Sequence, residues 1–317
     1  MIDGKAESLL EAFCSAWLGP GDRAVDVGAH TGRHTLPLAA VVGPEGCIYA
    51  FEPLPSAADA LSSNLANLSP SPTVILRRAA VGAEPGKAEL VVALDRPEES
   101  GLRERVRYSG ETRLTRIEVA VTTLDQSVPP GSPVRFIKID VEGAEWAVLK
   151  GGENLIRRDQ PAIGFEFGAR VSASYGTTPE DVFDWFGDRN YAVFDLRGHC
   201  HTRASFAERC GTEMLWDYVA VPRGEAADRA MRMLQDHYRS RAAAEAGDSG
   251  SHEDYLRRCY RELLGRDPDP GGFDYYLERL NTQGWTRDEV ALALRGSDEH
   301  RRHREKSGDA TPPHTAD

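Results

Sequence analysis

Between residues 22 and 221, short apolar runs alternate with amphipathic stretches of helical period, and this alternation constrains the fold more than any other feature. Ala24-Val25-Asp26-Val27 is a buried-type strand running into Gly28. The next stretch predicts a helix from about Thr31 to Val42, stopped by Gly43-Pro44. Cys47–Phe51 forms a second strand, ended by Glu52-Pro53. Ser56 then caps a helix through Leu68, and Thr73–Leu76 opens a third strand extending toward Val81. Strand–helix–strand repetition of this kind demands a parallel sheet covered by helices on both faces.

The middle of the chain reads differently. Ala88–Leu94 and Arg116–Val121 are strands flanking a polar surface loop, Asp95–Thr115. The parallel rhythm resumes with Val134–Asp140, a helix from about Ala144 to Arg158 and a strand at Ala162–Phe167. Thr178-Pro179-Glu180 is a helix start with proline in the first turn. Tyr191–Leu196 and Leu215–Val221 then close the sheet as an antiparallel pair, because only a short polar connection separates them. The sequence therefore divides as 1–222 (core about 20–221), a linker helix and flexible linker at 223–251, a helical unit at 252–305 and a disordered tail at 306–317.

Composition excludes several classes. Hydrophobic residues make up 40% and charged residues 28%, enough for a sizeable core, which rules out global disorder. The net charge of -12 makes the chain a poor ligand for nucleic acid or anionic membranes. No apolar run approaches the ~18 residues of a membrane span. Residues 1–21 read as an amphipathic helix and not a signal peptide, since Asp3, Glu7 and Glu11 interrupt them. Five cysteines without framework spacing suit reduced thiols, so a cytoplasmic location is expected.

Chemistry concentrates at strand ends. Gly28 and Gly32 follow the first strand, where glycine lets backbone pass close under a ligand. A dinucleotide fold wants a further glycine at the position of His30, so the pattern suits a smaller ligand than NAD or FAD. An ordinary tight turn explains an isolated glycine pair equally well. Glu52 favours the ligand, because a carboxylate ending the second strand can accept both hydroxyls of a ribose. Asp140 and Glu142, after the strand Phe136–Ile139, and Glu166, after Ile163–Phe165, reach the same sheet edge. Three carboxylates there permit a general base beside a cationic ligand, or a hard-metal site. Lys138 is expected on an alternate strand face paired with an acid, and Glu145 on a helix surface. His199, Cys200, His201 and Cys210 lack paired zinc spacing, and His30 and His34 lack a third ligand, so neither set predicts a metal.

The run VDVGAHTG, then FEP, RRAAVG, GKAEL, TTLD, IKIDVEGAEWAVLKG and FEF resembles the FkbM family of S-adenosylmethionine-dependent methyltransferases over about residues 20–221. The resemblance implies a Rossmann-like class I methyltransferase, α/β with a mostly parallel sheet and one terminal antiparallel strand, plus the small all-α C-terminal unit. It implies O-methylation of sugars or secondary metabolites, with S-adenosylhomocysteine as product. Carried onto this chain, Asp26, Gly28 and Gly32 bracket the methionine part, Glu52 meets the ribose and Ala80 lies near the adenine. His30, Thr31, Pro53 and Asp140 are further cofactor-binding candidates. His30 stands where the family usually has Asn. Asp140, Glu142 and Glu166 are the candidate bases, and no metal is expected. The rivals are a nicotinamide-dependent oxidoreductase and a non-catalytic binding module. The segment from Tyr260 to Tyr276 resembles a small helical bacterial domain of unknown function often appended to glycan-related enzymes, a surface for a partner or a second copy.

Overall fold

The computed structural model describes residues 3–66, 73–104, 112–211, 217–246 and 251–281, together with Arg287, Val290 and Leu294. It divides into two compact units, Asp3–Tyr238 and a second from Arg239.

The first unit opens with α1 (Asp3–Trp17), β1 (Arg23–Val27), α2 (Thr35–Val42), β2 (Cys47–Phe51), α3 (Pro55–Leu65) and β3 (Thr73–Arg77). A small sheet follows, made of β4 (Ala80–Val81), β5 (Gly86–Ala93) and β6 (Leu114–Thr122). After the short α4 (Leu124–Ser127) come β7 (Val134–Ile139), α5 (Glu145–Gly151), α6 (Glu153–Asp159) and β8 (Ala162–Glu166). The unit ends with α7 (Ala169–Ala173), α8 (Pro179–Asp188), β9 (Tyr191–Asp195), α9 (Arg203–Gly211), β10 (Asp217–Pro222) and the start of α10 (Glu225–Ala246). The seven-stranded sheet runs in the order β3-β2-β1-β7-β8-β10-β9. All neighbours are parallel except β10, which is antiparallel to both β8 and β9.

Strand alternation sorts the core onto two faces. Val25, Val27, Ile137, Ile139, Ile163 and Phe165 face one cluster with Val148 and Leu149 of α5 and Phe186 of α8. Ala24, Ile48, Phe136 and Val219 face the other, with Phe13 of α1, Leu38 of α2 and Leu234 of α10. The expected parallel sheet, with helices on both faces and an antiparallel closing pair, is therefore present. Thr178 starts α8 through a capping box, accepting from the Asp181 amide at 3.2 Å while Asp181 accepts from the Thr178 amide at 2.9 Å.

Several boundaries differ from the sequence reading. The helix expected to be capped by Ser56 starts instead at Pro55, with Leu54 in the N-cap position and no side-chain cap. The first helix begins at Thr35 and not Thr31, because Gly32 holds a left-handed φ of 101° that no helix contains. The helix read from Ala144 to Arg158 breaks into α5 and α6 at Gly151-Gly152. The third strand stops at Arg77, and Ala80–Val81 leaves to pair with Val121-Thr122 in the small sheet. The helix read as a linker is partly core, since Ala230 and Leu234 are buried with α1 and α2. Leu68, most of the polar loop's centre (105–111), Leu215, residues 247–250 of the expected flexible linker, Trp285, 295–305 and the tail lie outside the described residues.

In the second unit, α11 (His252–Leu264) and α12 (Pro270–Asn281) enclose Leu256, Tyr260, Leu264 and Leu280 with Val290 and Leu294. Ser251 and Asp254 form a capping box, and left-handed Gly265 ends α11.

Candidate active site

The carboxyl ends of β1, β2, β7 and β8 converge, and backbone hydrogen bonds tie the loops that leave them. The amides of Gly28 and Ala29 donate to Phe51 O at 3.0 Å, and the Asp140 amide donates to Val27 O at 3.0 Å. Gly28 is required here on two counts. Its φ is 84°, and a Cβ would fall 1.8 Å from the Asp140 carbonyl oxygen. Gly32 is similar, with a Cβ position 2.6 Å from Leu61 Cδ1. Between them His30 adopts φ 46°. Left-handed backbone at a non-glycine residue stores strain, and such strain collects at functional sites.

Glu52 locks this turn to the second strand. Its Oε2 accepts the His30 amide and its Oε1 accepts the Leu54 amide, each at 2.8 Å. The residue is 6% exposed. Burial pushes its carboxyl up to about 7 against the pull of those two amides, with Asp26 and Asp140 adding to the rise. Thr31 is held through its carbonyl, which accepts Asn64 Nδ2 at 2.8 Å. Ala80 shares an apolar cluster with Leu54 and Ala57, so the small sheet brings it to the loop after Glu52 and Pro53.

The other half of the site consists of buried charge. Asp26 and Lys138 are register partners on β1 and β7. Lys138 is 4% exposed, and its Nζ lies 2.7 Å from Asp140 Oδ2. Burial works against the ammonium, but Asp140 and Asp26 outweigh it and keep Lys138 charged. Burial likewise works against Asp140, and Lys138 overrides it to hold that carboxyl near 2. Glu166 hydrogen-bonds Asp140; burial raises Glu166 well above its ordinary value, and the charges of Asp140, Asp217 and Glu142 push the same way. The two carboxyls are coupled, and their surroundings favour the proton on Glu166 over Asp140. Asp26 is fully buried and raised by that burial; its Oδ2 accepts Thr35 Oγ1 at 2.6 Å and its Oδ1 has no partner. His34, 8% exposed, is driven down to about 3 by burial and by Lys138, so it is neutral.

Gly28, Glu52, Asp140 and Glu166 thus lie at the carboxyl ends of the adjacent strands β1, β2, β7 and β8, whereas Ala80 belongs to the small sheet. Lys138 is paired with an acid as expected. Glu145 is not: it is buried at 2% and not on a helix surface, with its Oε1 accepting the Gly143 amide at 3.0 Å and the Val141 amide at 3.3 Å. Burial lifts its carboxyl to about 7. A carboxylate at a first helical position reads as an ordinary response to the helix dipole, which conceals this role. Among the described residues no group of three His, Cys, Asp or Glu is arranged to hold a metal. His199 instead pairs with Asp195 at 3.2 Å, and Cys210 with the Tyr218 hydroxyl at 3.5 Å.

This strand order, with one antiparallel strand inserted beside the last and a glycine turn facing a strand-end carboxylate, defines a Rossmann-like methyltransferase fold. The model of the methyltransferase FkbM domain matches residues 26–193, and the chain belongs to that family. A domain of unknown function, DUF4214, matches residues 237–304. No curated protein matches the chain. Among solved structures, it is similar to an FkbM methyltransferase from Methylobacillus flagellatus (16% identity, TM-score 0.40), over 63% of this chain and 43% of that one. The chain therefore spans less than half of that relative. Aeropyrum pernix fibrillarin with natively bound S-adenosyl-L-methionine aligns at 16% identity and TM-score 0.37, over 68% and 74% of the two chains. An S-adenosylmethionine-dependent O-methyltransferase from Thermotoga maritima aligns at 13% and 0.36, over 67% and 64%.

Proposed function

We propose that this chain is an S-adenosylmethionine-dependent O-methyltransferase acting on a hydroxyl of a sugar or secondary metabolite and releasing S-adenosylhomocysteine. The observation that carries the reading is Glu52. It ends β2, clasps both flanking loops through one lone pair on each oxygen, and keeps acceptor capacity for two ribose hydroxyls. The remaining residues fit the same group. Asp26 offers a buried oxygen without a partner, and Gly28, His30, Thr31 and Gly32 form a tight turn for the methionine part. Ala80 is taken to lie on the adenine side, with Pro53 next to Glu52.

When bound, the cofactor supplies a methyl carbon activated by a sulfonium. The chain's own task is then to align the acceptor oxygen and take its proton. Asp140, Glu142 and Glu166 are the candidate groups to receive that proton. Lys138 keeps Asp140 ionised, which leaves Asp140 beside Glu166 as a carboxylate. No metal is assigned, and chelator is expected to leave activity intact. The chain is taken to work in the cytoplasm, without nucleic acid or membrane. The second unit is taken to recruit a partner or a second copy and to be separable from the methyltransferase unit.

Calorimetry of the full chain against S-adenosylmethionine, S-adenosylhomocysteine and NADH tests the cofactor. The first two should bind and NADH should not; binding of NADH alone would overturn the reading. Transfer of a labelled methyl group to a panel of hydroxyl, amine and thiol acceptors tests the oxygen specificity. Labelling of amines alone would remove it.

A further inference from the structure

The turn Val141–Gly143 sits at the carboxyl end of β7, between the two halves of the site, and its shape is unusual. Glu142 has φ 57° and Gly143 has φ 103°, two consecutive residues in the left-handed region. A backbone of this kind persists only where its surroundings over-determine it. Two sets of contacts do so here. From one side Tyr175 and Val171 close on Gly143 so tightly that a Cβ would lie 2.8 Å from each. Arg103 secures that wall, stacking on the Tyr175 ring at 5.2 Å and donating to the Ser174 carbonyl at 2.7 Å. From the other side comes Glu145, whose Oε1 takes both the Val141 and Gly143 amides while its Oε2 is buried without a hydrogen-bond partner.

A helix start needs only a short polar cap, and a buried carboxylate is an expensive way to provide one. What Glu145 adds is reach: it bonds the amides on either side of Glu142. Glu142 in turn is close enough to both Glu166 and Tyr175 for its charge to act on them. We propose that Glu145 is a positioning residue, whose carboxyl group fixes the Val141–Gly143 turn and with it the placement of Glu142 at the carboxyl end of β7. The catalytic consequence rests on the methyltransferase reading above; the positioning itself does not.

The test uses the full chain and three variants, E145A, E145S and E145Q, with E142Q as reference. Amide exchange is followed at Val141 and Gly143 and, as control, along Ala162–Glu166. The carboxyl titration of Glu166 is followed by carbon NMR. The charged groups facing Glu166 are Asp140 and Lys138 from β7, Asp217 from β10 and Glu142 from the turn. Removing the Glu145 side chain should raise exchange at the two turn amides at least tenfold with β8 unchanged. It should also move the Glu166 titration to lower pH, as E142Q does, because a like charge has moved away. E145Q keeps an acceptor oxygen while losing the charge, so it should restore protection and leave Glu166 titrating as in the wild type. E145S keeps a polar side chain at the start of α5 but cannot span the turn, so it should show the same exchange and titration changes and supplies the readout where E145A does not fold. Exchange rising uniformly over the whole unit, or a Glu166 titration unmoved in E145S, would overturn the proposal. S-adenosylhomocysteine binding, measured alongside on the wild type, separates the two claims: its absence removes the methyltransferase reading and leaves the turn result standing.

Discussion

The two halves of the site are built from different materials. At the ends of β1 and β2 the chain uses backbone: two glycines, a strained His30 and a single carboxylate bonded to main-chain amides. At the ends of β7 and β8 it uses side-chain charge, with Lys138, Asp140 and Glu166 in contact and Asp26 behind them. Backbone geometry suits a ligand of fixed shape, because it offers donors at fixed positions and tolerates few substitutions. A charged network suits proton movement, because its protons can be redistributed without moving atoms far. The contrast also predicts different responses to mutation.

Gly28 is where the halves touch, so G28A should have the largest effect. Overlap with the Asp140 carbonyl and a forbidden φ together should cost roughly 5 kcal/mol, and circular dichroism with calorimetry should show loss of both native packing and ligand binding. K138M addresses the charged half alone. Removing one member of a buried ion pair costs about 3 kcal/mol, the lower end of the usual range because Asp140 retains some water contact. Thermal unfolding should fall by about 10 °C. E52A addresses the backbone half, and loss of charge-assisted hydrogen bonds should weaken S-adenosylhomocysteine binding by on the order of 1.5–3 kcal/mol in a folded protein.

The pH dependence follows from the same residue. Glu52 titrates at about 7 in the free protein, and ribose hydroxyls favour its ionised form. Affinity should therefore be full at pH 8 and weaken roughly tenfold by pH 6, one decade per unit below the titration point. E52Q should flatten that limb; an unchanged slope would assign it to another group. Truncation should matter least. A chain ending at Ala246 should bind within about twofold of the full chain, whereas one ending at Arg223 uncovers Leu38 and Phe13 by deleting Leu234 and Ala230 and should lose about 2–3 kcal/mol of stability.

The backbone half was legible in the sequence because its signals are local. A short apolar strand, Gly28, Gly32 and Glu52 declare a turn and a strand end within a few residues of one another. The mostly parallel sheet with helices on both faces followed from the strand–helix alternation, but its strand order did not. What stayed hidden depends on long-range pairing or on depth. Nothing near Ala80 shows that it leaves the main sheet for Val121, and nothing near Glu145 shows that α5 turns it inward. The early stop between α5 and α6 was visible in Gly151-Gly152, but the continuous apolar period on both sides outweighed it. In the charged half, Asp140, Glu142 and Glu166 were identifiable as strand-end acids, yet their unequal protonation depends on Lys138 being sealed under α2.

The insertion of β10 between β8 and β9 has a consequence for biosynthesis. Among the described residues, β9 pairs with β10 alone, and β10 is the neighbour of β8 on the side away from β7. A chain emerging from the ribosome thus carries β8, with apolar Ile163 and Phe165, as an open edge until Pro222 is out, about 55 residues later. Open apolar edges recruit other chains. The vulnerable interval of this protein's synthesis is therefore the time taken to make residues 167–222, and translation pauses placed within it should raise aggregation more than pauses placed on either side.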